Sequence, residues 1–202
     1  MDEALEVLVG CFTREAFSFD GRYYTVRELT LSPRPVQRPM PRIALGGTGA
    51  RMLERAARFR CSGLMSTPPH DVVERHQRLV EEHGGDASSQ RYYGMTMGFV
   101  APTEDVAWEV AHAHAEWELD HYNEWFTSAG MPRIFPNGPR TDFVIGTPAQ
   151  WLERVERQLR EPVPLRCDHL VVELTISGMA HGDAMRGIEL FAAEVLPGLR
   201  AM

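Results

Sequence analysis

Cysteine is scarce in this chain: three in 202 residues, at Cys11, Cys61 and Cys167. An odd number of widely spaced thiols, none in a metal-ligand pair, argues against a disulfide framework and fits a reducing compartment. Long apolar runs are missing too, since no stretch approaches the ~20 residues a bilayer-spanning helix needs. The opening Met-Asp-Glu-Ala-Leu-Glu lacks the basic region of a secretory signal. Together these absences predict a cytoplasmic protein with no membrane partner. Basic charge is in the minority, 21 Lys and Arg against 28 Asp and Glu for a net charge of −7. No basic run is dense enough to follow a phosphodiester backbone, so no nucleic-acid partner is expected. A His-x₃-His pair with a carboxylate is also missing. His112 and His114 lie two apart and share no helix face, and His121 falls on neither spacing, so no metal centre is expected.

What the chain does contain is ordinary for a globular protein, 44% apolar and 24% charged. Residues 1–202 read as one domain with enough chain for a sizeable core. Residues 2–12 form a helix by the spacing of Leu5, Val7, Leu8 and Phe12, with acidic residues crowding its first turn. Asp20-Gly21, set in the alternating run from Phe17 to Tyr24, predicts a β-hairpin. From Ile43 onward strand and helix alternate. The strands are Ile43 to Leu45, Cys61 to Met65, Tyr92 to Val100 and His169 to Ile176. The helices run from about Ala50 to Phe59, Asp71 to Glu82, Val106 to Phe126 and Ala184 to Leu196, the last ending at Pro197-Gly198. A further helix starts at Thr147-Pro148, with Thr147 suited to the cap and Pro148 to the first helical position. Such alternation implies an α/β fold with a parallel sheet. Two closures fit the pattern: a small open doubly wound sheet, or part of a (β/α)₈ barrel, whose full form needs ~250 residues.

The most informative segment runs from Ser32 to Gly47. Its four prolines lead an extended run into the strand Ile43 to Leu45, and Gly46, Gly47 and Thr48 follow before the next helix. Glycines between a strand end and a helix start let backbone N–H groups approach an anion where the helix dipole favours negative charge. A tight turn with no ligand is the plain alternative. The spacing is neither that of a P-loop nor that of a dinucleotide fingerprint.

Six stretches resemble the luciferase-like flavin- or deazaflavin-dependent monooxygenases and reductases, in that family's order. They are Phe19-Asp-Gly-Arg-Tyr-Tyr, the run from Pro33 to Gly47, the run from Leu53 to Ser66, Phe99-Val-Ala-Pro-Thr-Glu-Asp-Val-Ala, Val144-Ile-Gly-Thr-Pro, and the run from Ile188 to Arg200. The resemblance implies a partial (β/α)₈ TIM barrel of about four C-terminal βα units, the first half being absent. It implies an oxidoreductase using reduced FMN or coenzyme F420 on a small organic substrate. Gly46, Gly47 and Thr48 would cradle the cofactor phosphate, while Met65, Ser66 and Thr67 would contact it or line the pocket. Ser62 stands where Asp usually precedes Gly63, and Ala44 where a large aromatic is common, at strand ends expected to face the ligand. No catalytic residue is assigned, because the groups that position ring and substrate come largely from the missing half.

The alternative is a non-catalytic truncated barrel acting as a flavin-binding or interaction module. Half a parallel barrel leaves unpaired strand edges, so a homo-oligomer or a partner subunit covering them is expected, unless helices wrap over them or Met1 is not the true start. Trp108, Trp117, Tyr122, Trp125 and Phe126 concentrate aromatic surface on one long helix. Core packing is the default expectation for them and an apolar substrate wall the sharper one. The loop around Phe135-Pro-Asn-Gly-Pro reads as a plain connection or a mobile lid.

Overall fold

The computed structural model describes residues 1–65, 69–160 and 167–202, which divide into two compact units, Met1–Tyr93 and Gly94–Met202. The α/β architecture with parallel strands expected from the sequence is present in both.

In the first unit, helix α1 (Asp2–Thr13) lays Leu5 against Ala56 and Cys61, with Ile43, Leu45 and Phe59 alongside. Burial pushes the Cys61 thiol up to about 11. Arg55 donates to Asp2 at 2.6 Å and Arg58 to Glu6 at 3.1 Å, tying α1 to α2 (Ala50–Arg58). Strands β1 (Phe17–Asp20) and β2 (Thr25–Leu29) form the expected hairpin, with Phe19 opposite Val26 and Asp20 opposite Thr25. Its loop differs from the two-residue turn that Asp-Gly usually announces. Gly21 to Tyr24 make a wider bend, and the Glu3 carboxylate accepts the N–H groups of Arg22, Tyr23 and Tyr24 at 3.0, 2.8 and 3.2 Å. An acceptor from the preceding helix satisfies donors that a tight turn would have left to solvent.

Strand β3 (Ala44–Gly46) pairs in parallel with β4 (Ser62–Met65), Ala44 opposite Ser62 and Gly46 opposite Leu64. Helix α2 connects them. Among the described residues β3 has a ladder partner on one side only, and Ala44 and Gly46 are exposed. Helix α3 (His70–Glu82) buries Val73, His76 and Val80, and the Gly84 N–H and Gly85 N–H close its end on the carbonyls of Glu81 and Val80. His76 Nδ1 lies 2.9 Å from the Tyr92 hydroxyl, and burial lowers the pKa of the imidazole.

The second unit is organised by β5 (Tyr92–Val100), most of which lies in it. It pairs in parallel with β6 (Val144–Gly146), Phe99 opposite Ile145, and also pairs with β7 (His169–Glu173). The alternation of strand and helix did not announce β6. Three residues are too few to display a period. Thr103 caps α4 (Glu104–Ser128), its hydroxyl accepting from the Val106 N–H at 3.3 Å.

Of the aromatic residues of α4, Trp108 packs half-buried against the core as expected, but Trp117, Tyr122 and Trp125 do not. Trp117 is 54% exposed and Trp125 62%, with Tyr122 also at the surface. The buried stripe is Ala107, Ala111, Ala115 and Leu119 at four-residue spacing, packed against Phe99, Phe143, Ile145 and Ile176. Alanine has so little side chain that α4 seats close to its neighbours, and the bulky rings go where room remains. The loop at Phe135 is held rather than free. Asn123, buried on α4, donates its amide to the Phe135 carbonyl at 2.9 Å and accepts the Phe135 N–H at 3.1 Å.

Helix α6 (Pro148–Arg160) inserts Trp151 and Val155 among Val100, Val144, Phe191 and Val195. The final helix does not stop at Pro197-Gly198. Helix α7 (His181–Leu190) widens into a π-turn over Phe191–Val195 and continues as α8 (Leu196–Ala201), carrying Pro197 in its first turn where no N–H is needed.

Two outcomes follow. Replacing Ala111 by Leu overfills the α4 seat and costs about 1–3 kcal/mol in denaturant unfolding, whereas Trp117→Gln changes stability by at most about 0.5 kcal/mol. The Tyr23 N–H first, with those of Arg22 and Tyr24, holds the Glu3 carboxyl below its ordinary 4.5. The loop is therefore held tightest above that value and loosens as pH falls through the lower folded value. In Glu3→Gln, hydrogen exchange at residues 22–24 is faster than in the parent at neutral pH and loses this acid dependence.

Candidate functional site

The turn between β3 and α2 is built from four exposed residues, Gly46, Gly47, Thr48 and Gly49. Gly47 has φ +120°, a conformation closed to most side chains, so glycine is required there. Gly49 is the extended N-cap of α2, and no side chain caps the helix. Its carbonyl takes the N–H groups of Met52 and Leu53 at 2.9 and 3.1 Å. The N–H groups of the first turn ahead of these have no partner within the helix.

A side chain at Gly49 would meet nothing within 4 Å, and one at Gly47 would meet only Met52, at 3.5 Å. The turn is thus open rather than filled by packing. No acidic residue occupies the first turn, and Arg51 stands there without an ion pair among the described residues. A cation at a helix N-terminus is unfavourable by itself and becomes favourable when an anion sits beside it. Uncapped donors and an open approach, with an arginine in the first helical turn, suit a phosphate or another oxyanion.

Gly46, Gly47 and Thr48 are therefore together, as the sequence suggested. Ser66 and Thr67 lie outside the described residues. Ser62 and Ala44 are placed differently from expectation. Both begin their strands, paired with each other at the end opposite Gly46, so neither faces the turn. Ser62 is fully buried, its hydroxyl accepting from Arg42 at 3.3 Å while the same nitrogen donates to the Ser89 carbonyl at 2.9 Å. Arg51 was missed in the sequence, although a lone Arg directly after Gly-Thr-Gly-Ala was the available signal.

The histidines of α4 serve locally. His112 lies 3.2 Å from Glu116, and His121 bonds the Trp117 carbonyl at 2.7 Å. Among the described residues no group of three or more His, Cys, Asp or Glu converges as a metal site.

Residues 1–164 match the profile of the luciferase-like monooxygenases. The chain belongs to that family. It is 39% identical over its whole length to the FMNH(2)-dependent dimethylsulfone monooxygenase of Pseudomonas putida, of which it spans 58%. Among solved structures, the monooxygenase RslO1 from Streptomyces bottropensis superposes on 98% of the chain with TM-score 0.69 and 17% identity. An F420-dependent secondary alcohol dehydrogenase in complex with an F420-acetone adduct does so with TM-score 0.68 and 16% identity. The chain covers 60% of each of these two structures, and the likeness to them is one of fold.

The open cap yields a two-sided outcome. Gly49→Asp supplies the missing cap and raises stability by a few tenths of a kcal/mol. It also places a carboxylate where an oxyanion would sit, so affinity for a phosphate-bearing ligand falls about tenfold in an equilibrium titration. A simple turn would show the first effect without the second.

Proposed function

We propose that this family member is the C-terminal portion of a flavin- or F420-dependent oxidoreductase acting on a small organic substrate. The phosphate of FMN or F420 would be held by the backbone of Gly46 and Gly47, the Thr48 hydroxyl and the N-terminus of α2. Ser66 and Thr67 would approach it from the neighbouring strand. The observation that carries this reading is the open, uncapped helix start, with Arg51 in its first turn. The named cofactors of relatives support it: FMNH(2) for the dimethylsulfone monooxygenase and F420 for the alcohol dehydrogenase.

When bound, the isoalloxazine of FMN supplies oxygen chemistry and the deazaflavin of F420 supplies hydride transfer. This chain's own part is binding and orientation. The glycine backbone fixes one end of the ligand, and Arg51 offsets its charge. A (β/α)₈ closure would bring further groups from preceding βα units. A second copy or a partner subunit would complete the ladder along β3, which has no second strand partner among the described residues. The three free cysteines agree with a cytoplasmic location.

A second reading is cofactor binding without turnover. Anaerobic titration of the purified chain with FMN, reduced FMN and F420, followed by turnover assays, decides among these. Saturable binding weakened about tenfold by Arg51→Gln, with turnover, supports the oxidoreductase. Binding with no turnover supports the second reading. No binding of any of the three removes both.

A further inference from the structure

Helix α4 turns its bulkiest side chains away from the core. Trp117, His121 and Trp125 recur at four-residue spacing on the side opposite the buried column of Ala111, Ala115 and Leu119. Both indoles are more than half exposed. Single exposed apolar residues are ordinary on a soluble protein, but an aromatic column along one helix face marks an interaction site. We propose that this face docks a basic amphipathic helix of a partner protein, with its apolar side chains on the indoles and its Arg or Lys residues along the adjoining acidic column. None of these residues belongs to the Gly46–Thr48 turn, so the site stands whether or not the cofactor assignment does.

The rings are held in place before any partner arrives. The Trp117 and His121 ring centres lie 3.9 Å apart with the planes tilted by 30°. Tyr122 stands edge-on to Trp125 at 5.3 Å and to Phe135 at 5.9 Å. Because Asn123 holds both backbone groups of Phe135, the segment leading to the single turn α5 (Pro139–Asp142) is pinned to α4 at this point. Met131 and Ile134 in that segment are exposed as well. Side chains already fixed lose little rotamer freedom on binding, and Trp and Tyr are the residues that most often carry interface energy.

Charge decides what such a face accepts. Helix α4 carries seven Asp and Glu and no Lys or Arg. Glu116, Asp120 and Glu124 form a second column about a quarter-turn from the indoles, and all three are exposed. Glu116 lies 3.2 Å from His112 and Asp120 3.7 Å from Arg133, while Glu124 forms no ion pair among the described residues. A phosphate-bearing surface, lipid or nucleic acid, is repelled by this column. A second copy of the chain, itself at net charge −7, would bring the same acidic helix and no basic column. A basic helix satisfies both columns at once. Its guanidinium groups pair with carboxylates and stack on indoles. Trp117 and Trp125 are about 12 Å apart along the axis, roughly two turns of a partner helix.

The probe is an amidated peptide of about 18 residues, long enough to be helical, with leucines along one side and arginines a quarter-turn away. It is titrated into the full chain by calorimetry at constant ionic strength. Binding should saturate, and Trp117→Gln and Trp125→Gln should each weaken it about tenfold. Glu124→Gln should weaken it about threefold, while Glu82→Gln on α3 leaves it unchanged. Because Trp117→Gln leaves the unfolding midpoint where it is, a lost response is not a folding failure. A peptide of the same composition with its leucines and arginines shuffled should bind at least about tenfold more weakly. No binding, equal affinity for the shuffled peptide, or equal affinity in the tryptophan variants overturns the proposal. So does Trp117-dependent binding to phosphatidylglycerol vesicles, or self-association in sedimentation velocity that Trp125→Gln abolishes.

Discussion

The second unit depends on one contact, the indole N–H of Trp151 donating to the Phe99 carbonyl at 3.2 Å across Gly98. Gly98 has no room for a side chain, because a Cβ there would strike the Val144 carbonyl of the paired strand and come within 2.8 Å of the Trp151 ring. That absence brings α6 down onto β5. The Trp151 ring then meets Phe191 edge-on at 5.3 Å, so strand, helix α6 and the C-terminal helices share one buried cluster. The fully buried indole combines a large apolar area with a satisfied polar tip, which fixes orientation as well as burial.

Much of this arrangement was legible because it follows long periods. The helices beginning at Asp2, Ala50, His70 and Pro148 announce themselves by apolar spacing and start signals, and the nine residues of β5 are long enough to read as a strand. Legibility failed where size and burial parted company. On α4 a reader of hydrophobicity is drawn to the tryptophans, yet close approach selects the alanines. The Asp20-Gly21 hairpin was visible, but its width was set by Glu3, some 20 residues away, which no local rule could supply.

The candidate cradle was legible for a different reason: glycine identity reports backbone conformation directly, as at Gly47. Thr48 and Arg51 gain meaning only once the helix start is seen to lack a cap. Ser62 shows the converse hazard. Its position beside Gly63 suggested a ligand-facing strand end, whereas the register places it at the other end, where Arg42 occupies its hydroxyl.

The π-turn near the C-terminus sets the phase of everything after it. The Leu196 N–H reaches back five residues to the Phe191 carbonyl, so one extra residue is accommodated without a break. Each residue of an α-helix turns the chain by about 100°, and that insertion lets Leu196 and Leu199 rejoin the buried side with Phe191 and Val195. A chain shortened by one residue within this bulge would wind on as uninterrupted α-helix. Its last turn would keep its leucines on the buried side, because the bulge absorbs the one residue such a deletion removes; the undeleted chain wound as plain α-helix would instead swing them about 100° toward water.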